Sequence, residues 1–190
     1  MPKRWLSFFV IMVFAALSAL SAANSAKGTD SRSFGLGLSL RADRSVYRMS
    51  DTLRLETLLR NTGEEDVYIW QWDMSWNPAK GLSMHIVRAN GKEVQTPFLM
   101  DSVPPPPRGG DPYQFVKLSP RTMYGLAENF KLEDLVNGPG EYDLDATFNS
   151  FLSSQWVAEF MGNEPISKLP LWTMERPSIN SNRIHITVRP

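Results

Sequence analysis

Apolar side chains recur at every second position in several short stretches of the chain. Leu36, Leu38 and Leu40 alternate with small or polar residues, and Leu53, Leu55, Thr57 and Leu59 alternate with Arg54 and Glu56 on the opposite face. A period of two turns one face of a strand inward, whereas a helix needs apolar residues three and four apart. Residues 67–72 are rich in aromatic and β-branched side chains, and the polar run 61–66, with Gly63, supplies the turn into them. Residues 82–94 read as a hairpin, because Asn90-Gly91 between two apolar runs provides the positive φ angles of a tight primed turn. Further strands are expected at 113–118 and 122–132, joined by a turn at Ser119-Pro120, and at 141–149 after Gly138-Pro139-Gly140. The last is expected at 183–188, with Ile184, Ile186 and Val188 inward. Short apolar segments cut by turn residues predict an all-β protein, an antiparallel β-sandwich of about seven to nine strands. Leu55, Trp70, Leu144 and Ile186 are expected to meet in its interior.

Two connections are long. Residues 97–112 include the consecutive prolines 104–107, followed by Arg108-Gly109-Gly110, and proline runs favour an extended polyproline II path on the surface without ladder hydrogen bonds. The stretch before the last strand runs to about thirty residues, and connections of that length are usually functional or carry structure of their own. Ser153 or Ser154 is placed to cap a short helix through Gln155 to Met161, with Gly162 just past its end and Pro165 beyond. Trp156 and Phe160, four apart, share one face of that helix.

The start of the chain changes the picture of where the protein works. Lys3 and Arg4, the apolar run from Leu6 to Leu20 and the small residues from Ser21 to Ala26 have the three-part layout of a secretory signal peptide. The run is shorter than the roughly 20 residues a spanning helix needs. Cleavage after Ala23 or after Ser25 satisfies the small-residue rule, so residues 1–26 are expected to be removed, 27–34 to form a flexible linker and 35–190 to form one domain. The protein is then exported, to the periplasm or beyond, with no membrane attachment after cleavage. It has no cysteine, so neither a lipoprotein anchor nor a disulfide is available and the fold must stand on its apolar core. Without Lys3 and Arg4, 18 basic residues face 20 acidic ones, a net of −2 with no basic stripe, which offers nucleic acid nothing to hold.

The segment Gly140-Glu141-Tyr142-Asp143-Leu144-Asp145-Ala146 resembles the tyrosine corner of immunoglobulin domains, with Leu144 where an antibody domain has its second cysteine. That resemblance implies an immunoglobulin-like sandwich in which Trp70 or Trp72 is similar to the buried tryptophan of the third strand. The chain also resembles bacterial exported Ig-like domains of the BsuPI-type proteinase-inhibitor group. Tyr47 to Asp51 is similar to their early Tyr-x-x-x-Asp stretch, though without the glycine usual before the acid, and Asn61-Thr62-Gly63 to their Asn-x-Gly. Gly91 to Val94, Leu118-Ser119-Pro120, Pro139 to Tyr142 and Ser181-Asn182 follow in the group's order. These motifs mark strand ends, so the resemblance speaks for fold more than for activity.

Catalytic chemistry is not indicated. His85 and His185 lie on separate strands, with His185 between two inward isoleucines and so turned outward, and neither has converging ligands in the pattern of a metal site. No Gly-x-Ser-x-Gly elbow accompanies the serines, and no cofactor motif occurs. The expected role is a non-enzymatic interaction module whose partner is another exported or envelope protein. Among the tryptophans, Trp70 and Trp72 share strand parity and are expected in the core, whereas Trp76, with Asn77 and Pro78 in its turn, and Trp156, Phe160 and Trp172 in the long connection are the binding candidates. Carbohydrate binding through Trp76, Trp156 or Trp172 is one alternative. Proteinase inhibition is the other. Asn77-Pro78-Ala79-Lys80-Gly81 resembles the Asn-Pro-x-x-Gly loop of chagasin-type inhibitors, and Gly109-Gly110 is similar to their glycine loop. Those inhibitors present three loops from one end. If every strand step is an antiparallel return, the Asn77 loop and the long connection leave from opposite ends, which argues against a single inhibitory edge.

Overall fold

The computed structural model describes residues 35–76, 81–94, 105–108 and 111–190, all within one compact unit, Ser33–Pro190. The leader and linker, the prolines before Pro105 and the Asn77-Pro78 and Gly109-Gly110 motifs lie outside the described residues. Among the described residues no helix is long and apolar enough to cross a membrane.

The alternating segments are strands. One sheet has the order β1 (Leu36–Ala42), β3 (Thr52–Asn61), β8 (Met123–Lys131); the other has β2 (Val46–Arg48), β11 (Ile184–Arg189), β9 (Gly140–Phe148), β5 (Leu82–Arg88), β6 (Glu93–Val94), with β10 (Ile179–Asn180) beside β9. All pairings are antiparallel except that of β2 with β11. The two sheets close over one interior in which Leu38, Leu40, Leu53, Leu55 and Leu59 meet Ile86, Tyr142, Leu144, Ile186 and Val188. The protein is an antiparallel, immunoglobulin-like β-sandwich held by burial, each fully buried large side chain contributing roughly 1.5–3 kcal/mol.

Several elements differ from the pattern-based expectation. β2 and β10 are too short to show alternation, and the strand expected to run to Leu132 ends at Lys131, where a single helical turn, Leu132–Leu135, buries Leu132 and Leu135. At the hairpin, Gly91 has φ +81° while Asn90 is not among the positive-φ residues. The Arg88 N–H donates to the Lys92 carbonyl and the Gly91 N–H to the Arg88 carbonyl, so the loop is three residues long, which needs a left-handed residue only at its last position, Gly91. The Asn90 carboxamide accepts from the Lys92 N–H at 3.1 Å across the loop.

The largest departure concerns β4 (Val67–Trp70) and β7 (Phe115–Leu118), which pair as a two-stranded sheet of their own. β3 pairs with β8 up to Arg60 opposite Met123, and β4 pairs with β7 from Val67 opposite Leu118, so both chains of the ribbon are interrupted together, over 61–66 on one and 119–122 on the other. Beyond the interruption Val67 and Ile69 of β4 still join the main interior. Asn61 makes the interruption. It is fully buried, its Nδ2 donates to the carbonyls of Glu65 at 2.7 Å and Leu118 at 2.9 Å, and its Oδ1 accepts from the Gly63 N–H at 2.9 Å. The opposing turn has Pro120 followed by Arg121 at φ +65°, and Thr122 N–H donates back to Ser119 O.

The other sequence motifs likewise mark side chains that replace backbone partners. Tyr142 Oη donates to the Gly138 carbonyl at 2.6 Å and accepts from the Arg88 guanidinium, which is the tyrosine-corner bond the resemblance implies. Asn182 accepts from Leu40 N–H and donates to Leu40 O, stitching the last strand's entrance to β1 in the opposite sheet, while Ser181 Oγ accepts from Ala146 N–H.

Two buried polar residues of β3 predict opposite outcomes. Asn61→Ala strands one N–H and two carbonyls away from water and is expected to cost about 2–4 kcal/mol in urea-unfolding free energy. Thr57 is fully buried and its hydroxyl has no hydrogen-bond partner. Thr57→Val is expected to raise the same free energy by roughly 1 kcal/mol, by removing that desolvated group at nearly constant shape.

Candidate functional site: an aromatic cleft at one end of the sandwich

Beyond β4 the chain reaches the end of the sandwich where β9 finishes and β5 begins, Trp76 bridging to Leu82. There a 3-10 turn, Gln71–Asp73, replaces the last residues expected in strand, and Phe148 closes β9 opposite Leu82 of β5. Three connections meet at this end: residues 71–76 with Gly81, residues 105–108 and 111–114 before β7, and the long stretch after β9. Asn149 N–H donates to Gly81 O and Leu82 N–H to Ser75 O. The approach is so close that a Cβ on Gly81 would collide with the Asp73 carbonyl and lie 2.6 Å from the Asn149 carbonyl, so only glycine fits.

Asp73 ties the turn to the long connection. Its carboxyl is fully buried, with Oδ2 accepting from Ser150 Oγ at 2.7 Å and Oδ1 from Phe151 N–H at 3.1 Å, while Ser150 Oγ accepts in turn from Leu152 N–H. Burial outweighs these two bonds and pushes its pKa up to about 6.

The long connection carries its own core. Ser153 Oγ accepts from Trp156 N–H and caps a helix that opens at Ser154–Trp156 and widens into a π-helical turn, Val157–Met161, ending at Gly162 with φ +53°. This is the helix that the capping and glycine signals predict. The Glu175 carboxylate accepts from both Ser154 N–H and Ser154 Oγ; the Thr173 hydroxyl foremost, then Ser154, holds its pKa down to about 2. Leu152, Met161, Ile166 and Leu171 pack with Trp70 and Phe115 in a second cluster, separate from the main interior. Tyr68 N–H donates to Pro170 O and Trp172 N–H to Tyr68 O, so the connection adds a short parallel bridge to the free side of β4.

The aromatic residues are sorted differently from the parity argument. Trp76 is buried in the main core, edge-on to Phe130 with centroids 5.9 Å apart, and Trp172 is buried there too, with the Arg176 guanidinium over its ring. Trp70, expected beside Leu55, Leu144 and Ile186, belongs instead to the second cluster, because it lies with Tyr68 on the face of β4 opposite Val67 and Ile69, which take the main interior. Trp72 stacks on Trp70 at 6.3 Å and 26° and is only half-buried. Trp156 meets Trp70 edge-on at 6.2 Å, and Phe160 meets Trp156 at 6.2 Å, continuing the row to the surface. Asn77 and Pro78 lie outside the described residues. Of the six candidates, the structure thus brings Trp156 and Phe160 together beside Trp70 and Trp72.

Beside this row is a cleft of about 360 Å³. Trp70 and Trp72 form one wall and Pro105, Pro106 and Arg108 face them, with Gln71, Ser75 and Asp111 contributing polar groups. The facing wall is braced by Gln114, whose Oε1 accepts from Arg108 N–H at 2.9 Å and whose Nε2 donates to the carbonyls of Arg108 and Asp111. Asp111 Oδ1 caps the adjoining 3-10 turn, Pro112–Gln114, through Tyr113 N–H. The signal for this site, a proline run and a tryptophan pair, is visible in the sequence, but their meeting depends on the pairing of β4 with β7, which sets Trp70 opposite Phe115. The histidines are elsewhere, outward on the β5–β9–β11 face as alternation predicts: His85 lies 3.4 Å from both Asp145 and Glu93, and His185 lies 2.9 Å from Asp143.

No protein-family model and no curated protein matches the chain. Among solved structures it is similar to the CARDB domain of a Pyrococcus furiosus protein, solved with di-metal ions, at 12% identity and TM-score 0.38, covering 84% of this chain and 97% of that one. It is also similar to the sporulation control protein Spo0M of Bacillus subtilis, at 7% identity and TM-score 0.41, covering 82% and 49%. A β-glucosidase from Erythrobacter marinus matches at 15% identity and TM-score 0.39, covering 82% of this chain and only 15% of the enzyme.

The Asp73 linkage gives a signed prediction. A carboxyl whose pKa is raised from 3.8 to about 6 on folding stabilises fully below pH 4 and loses that contribution as pH rises through 6. Asp73→Asn removes the titration. Its stability relative to the parent protein is expected to improve by roughly 3 kcal/mol between pH 4 and pH 7, read from parallel denaturant curves.

Proposed function

We propose that this is an exported, non-enzymatic recognition protein, which meets another exported or envelope protein through the end of the sandwich where the long connections gather. The observation that carries the reading is the set of large apolar side chains left at the surface of these connections. Phe151 is 37% exposed, Phe160 40% and Met174 57%, and Tyr113, on the turn beside the cleft, is 86% exposed. Water-facing aromatic and methionine side chains on a braced segment supply apolar contact area at low ordering cost. The connection is braced by the Asp73 and Glu175 bonds and by its own cluster, so its exposed residues are presented and not merely loose.

A second reading is proteinase inhibition, as the BsuPI-type and chagasin-type resemblances imply. It gains support from the convergence of three connections at one end. The opposite-ends argument against it assumed that every strand step is an antiparallel return; Asp73 and Gly81 bond directly to residues 149–151 of the long connection, so the two leave from one end and the objection falls away. Residues 71–76 and 81, 105–108 and 111–114, and 149–172 then offer the three-loop edge such inhibitors use.

The two readings separate in solution. Cross-linked capture of a defined envelope protein by the purified protein, reduced about tenfold in the double variant Phe160→Ser, Met174→Ser with an unchanged thermal midpoint, is the result expected of the first; capture that is absent, or indifferent to those residues, contradicts it. Stoichiometric loss of activity on titration against papain-like or subtilisin-like enzymes is expected of the second, and full retained activity across both classes removes it.

A further inference from the structure

The cleft between Trp72 and the proline wall is built differently from the exposed apolar residues beside it. Its volume of about 360 Å³ lies in the range of sites for small ligands. One wall is a stacked indole pair, flat and apolar, with Trp72 half-buried at the cleft. Around it stand Gln71, Ser75, Arg108 and Asp111. These comprise a carboxamide, a hydroxyl, one cation and one anion, so the cleft carries donors and acceptors of several geometries and no net charge. Both walls are pinned before any ligand arrives: the turn bearing Trp72 by the buried Asp73–Ser150 bond, the opposite wall by the three bonds of Gln114. Preorganised walls lower the ordering cost of binding.

We infer that this cleft binds a neutral pyranose unit of a glycan, its C–H face on Trp72 and its hydroxyl edge toward Arg108, Asp111 and Gln71. A sugar ring has one face of C–H bonds that packs against an indole, and vicinal hydroxyls that both donate and accept, which planar carboxylate, guanidinium and carboxamide groups satisfy in pairs. An extended peptide fits less well. Recognition of a peptide as an added strand needs a free strand edge, and β4, which leads into the tryptophan pair, is bonded to β7 on one side and to 170–172 on the other. A charged small molecule would leave either Arg108 or Asp111 opposed by a like charge. The site goes beyond the protein-binding reading, since it uses Trp72 and Arg108 and not Phe160 or Met174.

The test is calorimetric titration of the purified protein with cellotetraose, maltotetraose, chitotetraose and xylotetraose, with a proline-rich octapeptide as the competing class. Saturable binding of at least one tetrasaccharide is expected, about tenfold weaker or worse in Trp72→Ala, partly restored in Trp72→Phe, and unchanged in Phe160→Ser. Arg108→Gln, on the exposed wall, tests the same site without disturbing the indole stack and is expected to weaken binding as well. Absence of binding by all four sugars, equal affinity in Trp72→Ala and Arg108→Gln, or saturation by the octapeptide alone would overturn the inference. None of these results bears on capture through Phe160 and Met174, so the two readings fail separately.

Discussion

Asn61 is fully buried and spends its whole carboxamide on backbone: two donated bonds, to Glu65 and Leu118, and one accepted from Gly63. Buried backbone groups must find partners, and at this point the β3–β8 ladder stops supplying them. The side chain takes over the missing pairings where six residues of one chain stand against four of the other. Beyond the interruption the same two chains pair again as β4 and β7, and this two-stranded arm, with Val67 and Ile69 turned to the main interior, carries the molecule's distinctive end on its other face.

What the arm makes possible is a second, smaller interior. Its inner face is Trp70 and Phe115, too apolar to stand in water, and the long connection covers them with Leu152, Met161, Ile166 and Leu171. The cover is tied down by polar bonds at each end, Asp73 to Ser150 and Phe151 at the start and Glu175 to Ser154 across the helix. Asp73 holds its place at an electrostatic cost. Two hydrogen bonds do not replace the hydration of a carboxylate, and its raised pKa records the deficit. The same carboxyl fixes the turn that carries Trp72, so the geometry of the cleft and the anchoring of the cover share one buried group.

Much of the sandwich was legible because its strands are half-buried and obey a period of two: β1, β3, β5, β9 and β11 lie where Leu38, Leu55, Ile86, Leu144 and Ile186 place them. The helix after Ser153 was legible from its cap and its terminal glycine. Short motifs such as Asn61-Thr62-Gly63, Pro139 to Tyr142 and Ser181-Asn182 turned out to be sites where a side chain stands in for backbone, which is why they sit at strand ends. The site was less legible, for one physical reason. Alternation gives which residues share a face but not which of two interiors that face meets: Val67 and Ile69 turn to the first and Tyr68 and Trp70 to the second, while Trp76 and Trp172 are buried from connections that have no period to read.

Native-state amide exchange at Tyr68 and Trp172 tests this architecture most directly, since those two N–H groups, donating to Pro170 O and Tyr68 O, bind the long connection to the arm. Protection of both, lost together with that of Leu152 while β5 and β9 remain protected, is the result the account predicts. Exchange of Tyr68 and Trp172 at the rate of an open loop, in protein whose β5 and β9 amides are protected, would contradict it.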